Sequence, residues 1–150
     1  NYKVVGYIIG TLHTKNQHRL FVQKMLLKII RRLTYTLLKY PRTFRSIMNI
    51  TKNKSWRFIP KAFYSTYPVH FHINILNEYQ GKGIGNSLLV KFEEHVKRTG
   101  NMGIHLKTSN KNYSAIKFYL KNGYSKLLEF DDILWECVED YKTIIFVKKL

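Results

Sequence analysis

Near the middle of the chain runs Gln80-Gly81-Lys82-Gly83-Ile84-Gly85, alternating glycines around a lysine ahead of a helical pattern. A helix N-terminus exposes unpaired backbone N–H groups and a partial positive charge. Glycine lets the backbone approach an anion closely and supplies unusual φ values. Together these features make a phosphate site. Gly81, Gly83 and Gly85 fit that role, and Lys82 adds positive charge. Two other phosphate loops do not fit. A Walker loop needs four residues between its first glycine and Gly-Lys-Ser/Thr, and that arrangement is absent. A dinucleotide fingerprint needs a third glycine where Asn86 stands, and an acid about twenty residues on, where Met102–His105 holds none. A plain glycine-rich turn before a helix remains the alternative.

A second pattern runs from Asn112 to Tyr124, with Ala115, Phe118, Tyr119 and Gly123 within it. Asn112 and Tyr119 are nearly two turns apart and share a helix face, with Ala115 and Ile116 between them. Asn112 can cap the helix and offer its amide to a ligand. Phe118 points about 100° away and reads as core.

The first stretch matches, at every fixed position, the Gln/Arg-x-x-Gly-x-Gly loop of the GNAT acetyltransferases. The second resembles their other signature: Asn, then Ala, then Phe-Tyr, then Gly and an aromatic. The resemblance covers about residues 67–130, in the family's order and spacing. The chain is identified on these motifs as a member of the GNAT superfamily. That resemblance implies acetyl-CoA as cosubstrate, no metal, and an amine as acceptor. The pyrophosphate would lie on Gln80, Gly81, Lys82, Gly83, Ile84, Gly85 and Asn86, with Asn112 and Ala115 beside the pantetheine arm. The backbone N–H near Ile75 would serve the developing oxyanion, and Tyr119 would protonate the leaving thiolate. Many relatives place a Glu base on the strand before the loop; residues 69–76 hold no acid. His70, His72 and Asn74 alternate onto one face there. A histidine exchanges protons near neutral pH, so His72 is the candidate base, with a structural role for both histidines as the alternative. A weaker resemblance joins Val5-Gly6-Tyr7, the long helix after it and Tyr67–Asn74 to a bacterial branch. That branch is similar to the acetyltransferase-like domain attached to some O-GlcNAc hydrolases, and its members need not be active. The competing function is therefore an inactive module that binds acyl-CoA or nucleic acid.

Several elements must position these residues. Lys3–Leu12 is apolar and β-branched and reads as a strand. Gln17–Tyr40 reads as a helix: Phe21, Met25, Ile29, Leu33 and Leu37 recur at i+4, and Pro41 stops it. Its stripe is expected to pack on a sheet; lying on a membrane is the alternative. Thr43–Tyr67 is irregular, with one short helix. Val69–Leu76 is a strand, Ile84–Arg98 a helix with Leu88, Leu89, Phe92 and Val96 buried, and Ile104–Thr108 a strand. Asn112–Lys121 is a helix capped by Gly123, and Tyr124–Phe130 and Thr143–Lys149 are closing strands. This order predicts an α/β or α+β domain. The GNAT resemblance implies a mixed, mainly antiparallel central sheet with helices on both faces.

The length of 150 residues fits one domain, expected to be a single GNAT unit over 1–150. The start at Asn1, directly before a strand, predicts that a native N-terminal strand and helices precede it. The single cysteine, Cys137, excludes a disulfide framework and suits a reducing, cytoplasmic setting. No apolar run approaches the length of a bilayer span. The net charge of +17 is uneven: residues 1–77 carry 14 Lys and Arg and no acid. Such a surface attracts nucleic acid, acidic headgroups or a phosphate-rich cosubstrate, although a Lys-favouring genome gives the same composition. Trp56, Arg57, Phe58, Lys61 and Tyr64 cluster but match no RNA-binding module. Nucleic acid is not the favoured partner, and homodimerisation stays open.

Overall fold

The structure is a computed structural model that describes residues 3–40, 59, 62–131 and 140–150. Residues 41–58, the greater part of the stretch predicted irregular, lie outside the described residues, as does Cys137. Five strands form one sheet: β1 (Gly6–Thr11), β2 (Val69–Ile75), β3 (Gly103–Ser109), β4 (Ser125–Asp131) and β5 (Lys142–Lys149). Among the described residues four helices join them: α1 (Thr14–Lys39), the short α2 (Phe63–Thr66), α3 (Ile84–Arg98) and α4 (Tyr113–Lys121). The spatial order is β1-β2-β3-β5-β4. Only β2 and β3 run parallel, as their α3 crossover requires; the other pairings are antiparallel. This is the mixed, mainly antiparallel sheet expected.

Strand alternation feeds a core on each face. Val69 and Phe71, Ile104 and Leu106, and Ile144 and Phe146 project to one side, where Leu89 and Val96 of α3 and Tyr119 of α4 cover them. Ile145 and Val147 project to the other, against Phe63 of α2. One ionic contact ties the first layer down. Glu93 on α3 accepts from Lys148 Nζ at 2.7 Å and from the Tyr124 hydroxyl at 2.9 Å.

The ladders are unequal in length. β1 and β2 pair over six residues, Gly6 to Thr11 against Ile75 to His70. β2 and β3 pair only at Val69 with Ile104 and His70 with His105. Beyond His70 the two parallel strands part, and a cleft opens between them.

The helix after β1 corrects one expectation. It forms over Thr14–Lys39, but the described part of its stripe does not pack on the sheet: Phe21, Ile29 and Leu33 are exposed and Met25 is half-buried. Length explains this. At 1.5 Å per residue, 26 residues extend about 39 Å, roughly twice the reach of the six-residue β1. The helix is pinned at its start, where the Thr14 N–H and hydroxyl both donate to the Pro68 carbonyl at 2.9 and 2.7 Å. It then outruns the sheet.

Candidate active site

The cleft between β2 and β3 has a volume of about 800 Å³, a size suited to a small-molecule site. Its floor is β2. The Leu76 N–H donates to Val5 at 2.9 Å, toward the β1 side. Alternation therefore turns the N–H groups of Ile75 and Ile73 away from β1, toward the cleft. Gln80 Nε2 reaches the Ile75 carbonyl from that same side at 3.0 Å and also donates to Asn77 Oδ1 at 3.0 Å. The Gln80 side chain is thus a brace between β2 and the turn, and its amide hydrogens are already used.

The turn ends at Gly83, the N-cap of α3, with φ of 81°. A side chain would be strained in this left-handed conformation, whereas glycine is not. Gly81 shares the conformation at φ 74°, and at neither position would a Cβ meet another atom within 4 Å. Open space therefore lies over the turn. The first helical closure is the Ser87 N–H to Gly83 carbonyl bond at 3.0 Å. The N–H groups of Ile84, Gly85 and Asn86 precede it and have no intrahelical acceptor. No acid occupies this first turn, so its partial positive charge is uncompensated locally. Gly85 lets α3 approach the strand, because a Cβ there would lie 3.1 Å from Ile75 Cδ1 and 3.3 Å from Phe118 Cε2.

Helix α4 forms the other wall. Asn112 caps it: its Oδ1 accepts from the Ala115 N–H at 3.1 Å and from the Ser114 hydroxyl at 3.0 Å. Asn112 itself lines the cleft. Ala115 and Tyr119 follow on the same face and line the cleft. Tyr119 is only 7% exposed, and its ring makes edge or tilted contacts with Phe71, Tyr124 and Phe146. Burial pushes its hydroxyl up to about 12. Phe118 lines the cleft as well as packing against the core.

The structure thus brings ten of the twelve sequence-selected residues around one cleft: His72, Ile75, Gln80, Gly81, Gly83, Gly85, Asn86, Asn112, Ala115 and Tyr119. Ile84 and Lys82 do not line it; Lys82 places its ammonium 5.0 Å from the centre of the Tyr79 ring. Lys107 and Thr108 of β3, and Lys117 and Lys121 of α4, line the cleft and were not singled out in the sequence. The i, i+4 spacing of Lys117 and Lys121 was a usable signal, since it sets both cations on one helix face.

On the far face of the sheet the histidines meet. The His72 ring lies edge-on to His70 at 4.6 Å between centroids, and His70 lies against His105 at 4.9 Å. His105 is buried and donates from Nδ1 to the Tyr67 carbonyl at 2.7 Å. Burial, with His105, His72 and Lys107 nearby, pushes His70 down to about 3. Burial outweighs the Tyr67 hydrogen bond and takes His105 to about 4. Both rings are neutral near pH 7, whereas His72 is exposed at the cleft. Among the described residues no group of His, Cys, Asp or Glu is arranged to hold a metal.

A mixed sheet whose parallel strands part over a glycine-capped helix N-terminus defines the class of this α/β domain. The acetyltransferase (GNAT) domain family matches residues 54–126, so that segment belongs to the GNAT acetyltransferases, as its two motifs implied. Solved structures carry the same fold. The protein called SsHAT shares 22% identity at a TM-score of 0.59, over 98% of this chain and 67% of its own. A Bacillus anthracis protein assigned as a streptothricin acetyltransferase, solved with acetyl coenzyme A, shares 24% at 0.52, over 58% and 51%. The protein yncA of Salmonella typhimurium, assigned as an acetyltransferase and solved with acetyl-CoA, shares 17% at 0.50, over 55% and 47%. This chain therefore spans about half the length of the Bacillus anthracis and Salmonella typhimurium proteins. At such identities the likeness is one of fold.

Proposed function

We propose that this chain is an acetyl-CoA-dependent N-acetyltransferase whose acceptor is a primary amine of a small molecule or a protein. The observation that carries the reading is the cleft itself. One opening holds free N–H groups at the α3 N-terminus, free space over Gly81 and Gly83, and the Asn112–Tyr119 face. A pyrophosphate fits the first two features, because helix-terminal N–H groups and an uncompensated dipole select anions. Lys117 and Lys121 add cations on the same wall.

Acetyl-CoA supplies a thioester whose acyl carbon accepts the amine nitrogen as the carbon–sulfur bond breaks. The chain's own groups do the rest. The Ile75 N–H, fixed by the β-ladder, stabilises negative charge developing on the carbonyl oxygen; such preset donors contribute several kcal/mol. His72 takes the proton that the amine must lose. Tyr119, buried and protonated, presents its hydroxyl to the departing sulfur. Its value near 12 favours donation of a hydrogen bond over full proton release. The same burial supports a second reading, in which the domain holds acyl-CoA without turnover.

Incubation of the chain with acetyl-CoA and a panel of amines and peptides tests both. Amine-dependent release of the free thiol supports transfer. A thermal melt raised by acetyl-CoA, without release for any amine, supports the binding module. Neither effect in a folded sample removes both readings.

A further inference from the structure

The apolar stripe of α1 faces solvent. On its inner side, Asn16, Gln17, Leu20, Phe21, Lys24 and Met25 border a shallow groove against β1. Val22, Leu26, Ile29, Ile30 and Leu33 fall on the outer side, within a sector of roughly 100°. These five are between 37% and 52% exposed. The helix carries seven lysines and arginines and no acid. Lys15 and Arg19 continue that side toward the start of the helix, and Arg32 borders it.

The geometry points to α1 as a membrane-surface helix that lays its Val22–Leu33 side on an anionic lipid bilayer. Charge and apolarity must both find a partner, and this is what selects the occupant. A second copy of the chain would cover the apolar side but oppose two helices with the same positive charge, in a protein of net charge +17. Nucleic acid would match the charge and leave the apolar side in water. An anionic lipid surface satisfies both: acyl chains receive the aliphatic side chains, and headgroups meet the lysines and arginines. No described helix is long and apolar enough to cross a membrane, so the contact lies along the surface. This inference is independent of the reaction proposed for the cleft.

The test is co-sedimentation of the full chain with phosphatidylcholine vesicles, with and without admixed phosphatidylglycerol. Binding only to the anionic vesicles, weakened by salt, is expected. Leu26→Glu with Ile30→Glu should lower the partition about a hundred-fold, because two buried aliphatic contacts are lost. Arg19→Ala and Arg32→Ala should each lower it about five-fold. Equal binding to both vesicle types, or no binding to either, overturns the proposal. Undiminished binding of the double-Glu variant also overturns it, since bulk charge alone would then suffice. A lowered melting temperature in that variant overturns it too, because it would show the apolar side covered within the folded chain. A sedimentation profile showing dimers that the double-Glu variant abolishes assigns the face to a second copy instead.

Discussion

Replacing Tyr119 with Phe removes one oxygen from a buried ring and separates two mechanisms for the leaving sulfur. With its hydroxyl held near 12, against about 8.5 for an ordinary thiol, complete proton transfer to a free thiolate is uphill by ~3.5 units, or about 5 kcal/mol. In the proposed reaction Tyr119 would therefore act by a hydrogen bond that strengthens as charge gathers on sulfur. Hydrogen bonds to charged groups contribute about 1.5–3 kcal/mol. Tyr119→Phe should then lower kcat by roughly 10- to 150-fold. The ring keeps its contacts with Phe71, Tyr124 and Phe146, so the melting temperature should change little. Affinity for acetyl-CoA should also hold, because the proposed phosphate contacts are with the Gly81–Asn86 turn and not with Tyr119. The assay is thiol release under saturating acceptor, with cosubstrate affinity measured separately by titration. A thioester with a more acidic thiol should show a smaller loss, since that leaving group needs less help. A variant that turns over like the parent for every thioester would refute the argument and reduce Tyr119 to a wall of the cleft.

Further expectations follow from other parts of the structure. Gly83→Glu should abolish the stabilisation that acetyl-CoA confers, because it forces a side chain into φ of 81° and sets a negative charge at the anion site; unchanged affinity in a folded variant would mean that the loop has been misread. His70 and His105 sit below the usual histidine value of 6.5, at about 3 and about 4. Their folded-state values are depressed, so their stabilising contribution is complete above pH 6.5 and is lost as the pH falls toward 4 and 3. For His105 alone the shift of about 2.5 units corresponds to roughly 3 kcal/mol. Thermal melts from neutral to acid pH should show that loss, and His70→Gln should reduce it. Glu93→Ala should cost about 3 kcal/mol, since it strands the partly buried Lys148 ammonium and the Tyr124 hydroxyl; chemical denaturation measures this directly.

Local chemistry was legible in the chain where it is self-contained. The α3 and α4 spans, the glycine turn and the Asn112 cap each depend on residues within a few positions of one another, so pattern and propensity sufficed. The residues missed are those that reach the cleft by tertiary placement. Lys107 and Thr108 border it only because β2 and β3 stop pairing after His70 and His105, and no local pattern announces where a parallel ladder ends. Gln80 carries a motif, but the motif does not reveal that its amide turns back to Ile75 and Asn77. Lys82 likewise carries the motif's charge, but the motif does not reveal that its ammonium lies near the Tyr79 ring. The periodicity of α1 correctly predicted an amphipathic helix. It carried no information on what covers the apolar side, because a helix can outgrow the sheet that anchors it.

Backbone hydrogen exchange with and without acetyl-CoA tests the central claim most directly. The account predicts new protection at the amides of Ile75, Gly85 and Asn86, residues that line the cleft and whose N–H groups have no acceptor from the ladder or the helix. Exchange at these amides that stays the same under saturating acetyl-CoA, with protection appearing elsewhere or nowhere, would contradict it.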